Sequence, residues 1–376
     1  MPPKADKPTK ANKAMTTTPC FDFEQPLVAI QEKIEELKQL GAETGIDVSG
    51  QMTTLTRQAD KYRKELYSNL KPNEKLQIVR HPERPNTLDI VSGLSPEIWF
   101  ELHGNRCGMD DGALVGGIIE LNNTPMVVVG TQKGHNMKDN LTRNFGMPNP
   151  EGYEKAMRLF AHANKFGMPI LTLIDTPGAY PGIAAEEHGI GYAIALNIRE
   201  MARLRVPVVS VVVGEGCSGG ALGIGVANHI YMLEHAVYTV ISPEGCASIL
   251  WRDASHAGQA AEALKLTAQD LESFGIIDGI IPEPLGGAHL DVAGQIDAIG
   301  RQVAKAVELL KPHPPEALVE QRFQKYRKIG VPGQSMRHVV RQSAQEAQPA
   351  MASASKSAST NTANTANATK KSKAPI

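Results

Sequence analysis

Net charge, cysteine and long apolar runs are all scarce in this sequence of 376 residues. Lys and Arg number 39 against 40 Asp and Glu, a formal charge of -1, so the chain has no field to draw nucleic acid or an acidic membrane. Only four cysteines occur, Cys20, Cys107, Cys217 and Cys246, without C-x-x-C spacing, which argues against a zinc site and a disulfide framework and fits a reducing, cytoplasmic compartment. No stretch reaches the roughly 18 apolar residues of a membrane span, and the N-terminus lacks the apolar core of a secretory signal. The glycine-rich string at 214–225 is not followed by Lys-Ser/Thr, which excludes a phosphate-binding P-loop.

The apolar content, 41%, suffices for a proper core in one large or two ordinary domains. Residues 1–20 are rich in Lys, Pro and Thr without arginine, and 342–376 form an Ala/Ser/Thr/Asn/Lys segment almost free of large apolar residues. Both read as disordered tails. Between them, the 3- and 4-residue spacing of Leu27, Ile30, Ile34, Leu37 and Leu40, then of Met52, Leu55, Ala59, Tyr62, Leu66 and Leu70, predicts a helical hairpin within 21–79. The pair of prolines in 80–85 (RHPERP) predicts an extended, solvated link. A main domain is expected over 80–312 and a C-terminal extension over 313–341.

In that domain β-branched runs alternate with amphipathic ones, the pattern of an α/β protein. Strands are expected at 113–121, 126–130, 168–175 and 206–213, short ones at 231–234, 238–241 and 276–282, and helices at 150–166, 190–204, 256–274 and 291–311. Polar residues crowd the ends of several strands, where ligand loops occur in α/β sheets. After the second strand come Lys133, His135, Lys138 and Arg143, of which Lys133 and Arg143 are candidates to meet phosphate or carboxylate. After the third come Thr176-Pro177-Gly178-Ala179-Tyr180-Pro181-Gly182, whose prolines and glycines fix a rigid turn suited to shaping a site.

After the fourth comes the glycine string, which fits three motifs at once. Gly214-x-Gly216-x-x-Gly219, with Glu234 about 20 residues on, matches a dinucleotide fingerprint, but one that should open the first βαβ unit and does not. Gly216-x-Ser218-x-Gly220 matches a nucleophile elbow, with Asp253, Asp278 and His289 downstream as candidate partners of Ser218. The amides of Gly219 and Gly220 match an oxyanion hole. On the residues alone, hydrolase and oxyanion-hole enzyme stay open.

A set of longer strings adds to this: 21–26 (FDFEQP), 80–85 (RHPERP), 143–148 (RNFGMP) with 150–153 (PEGY), 174–182 (IDTPGAYPG), 218–221 (SGGA), 241–251 (ISPEGCASILW) and 280–289 (IIPEPLGGAH). Through them the chain resembles the alpha subunits of the multisubunit acetyl-coenzyme A carboxylase carboxyltransferase of bacteria and plastids, over about 21–289. The resemblance implies a crotonase-like superhelix of ββα units. The reaction implied is transfer of a carboxyl group from carboxybiotin, carried on the biotin carboxyl carrier protein, to acetyl-coenzyme A, giving malonyl-coenzyme A for fatty-acid synthesis.

It also implies a beta subunit bearing the zinc and most of the acyl-coenzyme A surface, an α2β2 heterotetramer, biotin carboxylase as a further component of the holoenzyme, and a cytoplasmic or, in a photosynthetic eukaryote, stromal location. On this resemblance Gly219 and Gly220 supply the hole for biotin, Gly178, Ala179 and Tyr180 line the biotin side, and this chain binds no metal. A serine hydrolase of the same fold superfamily, with Ser218 as nucleophile, is the alternative. The chain departs from the family at His135 and His188, where arginine is usual, at Ile190 in place of glutamine, and at Cys217 in place of glycine.

Overall fold

The computed structural model describes residues 21–44 and 46–330; the expected tails at 1–20 and 342–376 lie outside the described residues. The chain divides after Leu70 into two compact units. In the first, α1 (Gln25–Thr44) and α2 (Ser49–Ser68) pack on each other. Tyr67 donates its hydroxyl to Glu24 at 2.6 Å. This is the hairpin that the apolar spacing predicts. Its expected limit at residue 79 is too long: α3 (Pro72–Val79) belongs to the second unit, where Leu76 and Val79 are buried with Ala261 and Leu266.

The second unit is built on one eight-stranded mixed sheet. After α4 (Thr87–Leu94), the strands β1 (Trp99–Glu101), β2 (Leu114–Leu121) and β3 (Thr124–Thr131) run antiparallel. Asn122 and Asn123, both with positive φ, make the tight turn between β2 and β3, as asparagine readily does. Next come α5 (Met137–Thr142), α6 (Pro150–Phe166), β4 (Ile170–Thr176), α7 (Ile183–Glu187) and α8 (Ile190–Arg203). Then follow β5 (Val208–Cys217), α9 (Ser218–Leu222), β6 (His229–Leu233) and β7 (Val237–Thr239). The remainder is α10 (Pro243–Trp251), α11 (Ala257–Leu264), α12 (Ala268–Ser273), β8 (Gly279–Ile281), α13 (Val292–Leu310) and α14 (Pro315–Lys328).

The strand order is β1-β2-β3-β4-β5-β6-β8, parallel from β3 onward, with β7 pairing the far end of β5. Strands β4 and β5 are buried along their whole length, as central parallel strands are, with mostly apolar residues in their first halves and the polar Asp175, Thr176 and Glu215 at their C-terminal ends. One continuous core runs through the unit, from Ile90 on α4 to Leu318 on α14.

Three local expectations need correction. The strand expected at 206–213 runs on to Cys217, because Glu215, Gly216 and Cys217 pair with β7 and Gly216 also pairs with Thr176; half of the supposed glycine turn is sheet. The helix expected over 256–274 is two, broken at Lys265, which has a φ of 52°. Nor is the RHPERP segment wholly solvated, since His81, Arg84 and Pro85 are buried. Arg84 forms a double hydrogen bond with Glu283 at 2.7 and 2.6 Å, with side-chain exposures of 3% and 0%, and Arg80 pairs with Glu215 and Glu244. The Arg84 guanidinium is thereby held inward, where burial without a carboxylate would cost several kcal/mol, whereas the Arg80 side chain stays 37% exposed.

Among the described residues no helix is long and apolar enough to cross a membrane, and no group of three His, Cys, Asp or Glu side chains could hold a metal ion.

Beside the Arg84–Glu283 pair, His81 and His289 stack with ring centroids 4.1 Å apart. Burial, then the charges of His81 and Arg84, lower the His289 pKa to about 4, while in the unfolded chain it titrates near 6.5. The unfolded chain therefore binds the extra proton between those values. Stability from this group is whole above pH ~6.5 and is lost as pH falls toward ~4. Glu283 and Glu215, both held at about 2, lose theirs only below pH ~4.5. Denaturant melts from pH 7 to 5 are expected to show falling stability, with a shallower slope in His289→Gln; equal slopes would reject the assignment.

Candidate functional site

The C-terminal ends of β3, β4 and β5 bring together the three loops singled out in the sequence. Beneath them lies an ionic cluster. The Lys133 ammonium sits 2.8 Å from Asp175 and 2.7 Å from Glu215, and the far side of Glu215 takes Arg80 at 3.1 Å. Burial alone would raise the Glu215 pKa, but Lys133 and Arg80 outweigh it and hold the carboxyl at about 2. Burial likewise opposes the charge on Lys133, and its two carboxylates override that and raise its pKa. Asp175 also accepts the Glu215 N–H at 3.0 Å. A Cβ on Gly214 would lie within 3.0 Å of all three carboxyl atoms of Asp175, so glycine there is what lets the carboxylate approach the strand.

Lys133 and Arg143 are thus not free cations awaiting a ligand. Lys133 is neutralised internally, and Arg143 binds Asp139 at 3.1 Å and the Gly112 carbonyl at 3.0 Å. Lys133 holds the ends of β4 and β5 together, and Arg143 ties α5 to the loop before β2. His135 is likewise engaged, by the Pro82 carbonyl at 2.7 Å and Asp89 at 2.8 Å. Burial lowers its pKa, and the Pro82 and Asp89 contacts more than reverse that. His188 binds Glu151 at 2.7 Å, Ile190 is buried, and Cys217 is buried with its thiol pushed up to about 11 by burial and by Glu215. An inert thiol fits that environment.

Above the cluster two turns touch. Gly178 has a φ of 146° and is closed on Thr176, whose hydroxyl takes the Gly178 N–H at 3.0 Å and donates to its carbonyl at 2.7 Å. The second turn is α9. A Cβ on Gly220 would lie closer than 3.0 Å to the Ala179 nitrogen and to the Cα and carbonyl carbon of Gly178. Nothing but glycine fits at 220 without moving that backbone. At Gly219, a Cβ would meet only the Ile194 side chain at an ordinary 3.5 Å.

Backbone orientation follows from the acceptors. The Gly219 carbonyl takes the Gly223 N–H at 2.9 Å, so the Gly220 N–H, on the opposite edge of the same trans peptide, points the other way. The Gly220 carbonyl is held by the Tyr153 hydroxyl at 3.0 Å. With the Gly178 carbonyl turned to Thr176, the Ala179 N–H is directed away from it in the same manner. Ala179 N–H and Gly220 N–H have no hydrogen-bond acceptor among the described residues. Two adjacent, pre-oriented amides without acceptors are what a developing oxyanion requires.

Tyr180 sits between two loops. Its ring packs on its own loop at Gly182, and its N–H goes to the Pro148 carbonyl at 3.0 Å, so it joins the 143–148 loop to the glycine turns. The sequence does not reveal this joint, or the part played by Tyr153; only the long apolar face of α6 hints that Tyr153 is buried.

The partners needed by Ser218 lie elsewhere. Ser218 has a φ of 57°, the backbone of a sharp elbow, but His289 stacks on His81, Asp278 binds Lys325 and the Ile230 N–H, and Asp253 caps Ser255. Glu234, the supposed ribose acid, accepts the Glu283 N–H. Neither triad nor dinucleotide fingerprint is assembled.

The mixed sheet, parallel from β3 onward with helices around it, is the expected crotonase-like fold. Solved structures agree on the fold. The chain is similar to a Pseudomonas malonate decarboxylase hetero-tetramer in complex with coenzyme A (TM-score 0.52, 18% identity, 69% of this chain and 98% of that one). It is also similar to the transcarboxylase 12S core (TM-score 0.51, 19% identity, 65% of this chain and 46% of that one).

Sequence comparison narrows the class. Residues 20–330 match the family described as acetyl co-enzyme A carboxylase carboxyltransferase-like. Over 311 residues the chain is 54% identical to the acetyl-coenzyme A carboxylase carboxyl transferase subunit alpha of Synechococcus elongatus, covering 83% of this chain and 95% of that protein. It is 52% identical, with the same coverage, to the subunit alpha of a Nostoc species. The chain belongs to the acetyl-coenzyme A carboxylase carboxyltransferase family, as an alpha-type subunit.

Proposed function

We propose that this chain is the alpha half of a carboxyltransferase that moves a carboxyl group from carboxybiotin to acetyl-coenzyme A, forming malonyl-coenzyme A. The observation that carries the reading is the contact of the Gly178-Ala179 and Gly219-Gly220 turns, which fixes acceptor-free amides side by side. When the ureido N–C bond of carboxybiotin breaks, charge gathers on the ureido oxygen, and those N–H groups can hold it. The ureido nitrogen then takes a proton from the acetyl methyl group, and the methyl carbon forms the new C–C bond to the released carboxyl group. Atoms and charge balance without a nucleophile from this chain.

The chain supplies half of a site. Ile183, Tyr192, Leu222, Val240, Ile249 and Leu250 are exposed, apolar surface of the kind that marks a protein interface when it is contiguous. A beta subunit carrying zinc and the acyl-coenzyme A surface fits such a surface, in an α2β2 assembly served by biotin carboxyl carrier protein and biotin carboxylase.

Co-expression with a beta subunit, followed by assay of biotin-dependent malonyl-coenzyme A formation, tests the reading; an assembled complex without that activity overturns it. In that complex Ser218→Ala is expected to keep activity within a few-fold of wild type and a fluorophosphonate to leave the chain unlabelled, since among the described residues no histidine or carboxylate is bonded to Ser218. Abolished activity together with labelling at Ser218 would establish the hydrolase instead.

A further inference from the structure

Between α5 and α6 the backbone does something the ionic cluster does not explain. Asn144, Phe145 and Gly146 have successive φ values of 46°, 55° and 75°. Asparagine and glycine tolerate this region, but a bulky residue such as phenylalanine is a genuine outlier there, and such strain persists only where the surroundings impose it. The surroundings here do so. The N–H groups of Gly146 and Met147 close back on the carbonyls of Arg143 and Asn144, each at 2.9 Å. Arg143 is clamped by Asp139 and Gly112, and the Asn149 N–H binds Asp111 at 2.6 Å.

Gly146 lies flat on the site floor, since a Cβ there would lie closer than 3.0 Å to Lys133 and 3.1 Å from the Asp175 carbonyl. The result is a rigid loop that leaves Phe145 39% exposed instead of folding it into the core. Met137 and Leu141, four residues apart on α5, are also exposed and share one face of that helix. Two residues after Gly146, the Pro148 carbonyl takes the Tyr180 N–H at 3.0 Å, which ties this loop to the turn carrying Ala179.

Resting on the carboxyltransferase reading above, we propose that Phe145 is a substrate-contacting residue of the biotin half-site and covers the apolar face of the biotin bicycle while its ureido oxygen faces the amides. The bicycle has one polar edge and an otherwise apolar surface, so two N–H groups alone would leave that surface in water. A flat ring on a pre-ordered loop removes it at little entropic cost. Hydrophobic cover of this kind acts on binding, not on the bond-breaking step.

The test uses the assembled complex in the reverse direction, with malonyl-coenzyme A as donor and biocytin as acceptor. Phe145→Ala is expected to raise the KM for biocytin roughly tenfold, with the KM for malonyl-coenzyme A and the elution volume of the complex unchanged. Phe145→Tyr, which keeps the ring, should remain close to wild type. An unchanged biocytin KM, a raised KM for malonyl-coenzyme A instead, or dissociation of the complex would overturn the proposal, the last two by placing the ring against coenzyme A or the partner subunit. If the alanine chain does not fold, Phe145→Leu reads the same two KM values. A wild-type complex that carboxylates no biocytin would overturn the carboxyltransferase reading itself, a result distinct from any of these.

Discussion

Gly220→Val is expected to lower carboxyl transfer by about 10²–10³-fold, the loss seen when one oxyanion-hole donor is removed. The reason is steric. Even the first carbon of a side chain at 220 would collide with the backbone of Gly178 and Ala179, and backbone cannot rotate away as a flexible side chain can. Either the 178–180 turn or α9 must shift, and in both cases the mutual placement of the Ala179 and Gly220 N–H groups is lost. A misplacement of about 1 Å costs roughly 10²-fold by itself. Gly219→Ala provides the contrast, since its Cβ would meet only Ile194 at ordinary distance; its loss should be far smaller. Single-turnover rates of malonyl-coenzyme A formation in the assembled complex measure both. Equal losses at the two positions would mean that the turn contact does not organise the site.

Lys133→Met should unfold the domain more readily, by about 3 kcal/mol, the lower end of the ~3–5 typical for breaking a buried ion pair because the lysine retains 19% side-chain exposure. Methionine fills much the same volume but leaves Asp175 without its counter-ion and Glu215 with Arg80 alone. Two carboxylates would then face each other under the site, and one must take up a proton or move. Urea titration at pH 7 reads the effect as a lower midpoint. If Lys133 were instead a ligand for the phosphates of coenzyme A, the midpoint would stay and the KM for acetyl-coenzyme A would rise.

Much of this site is written in local sequence. The α/β alternation, the hairpin of α1 and α2, and the positions of the three loops at strand ends follow from periodicity and from proline and glycine, since these act over a few residues. Family resemblance adds the reaction and points to Gly219 and Gly220, because the matching strings lie at those same strand ends. The chain read in order leaves the roles of individual charges undecided. Lys133, Arg143 and Arg84 look alike in sequence, and each could be a ligand, a solvated charge or a structural pair.

Sequence by itself determines, then, that strands β3, β4 and β5 end in polar and glycine-rich loops and that backbone amides are available there. Tertiary structure alone decides which amides meet. Gly178 and Gly220 are distant in the chain, and only the parallel pairing of β4 with β5 sets their turns in contact. It also decides that Lys133 and Arg84 hold the scaffold, because whether a charge is paired depends on carboxylates brought from other strands and loops, Asp175, Glu215 and Glu283. The same is true of Phe145. Its exposure results from a backbone path imposed by Lys133, Asp175 and Asp111, none of which is its neighbour in sequence.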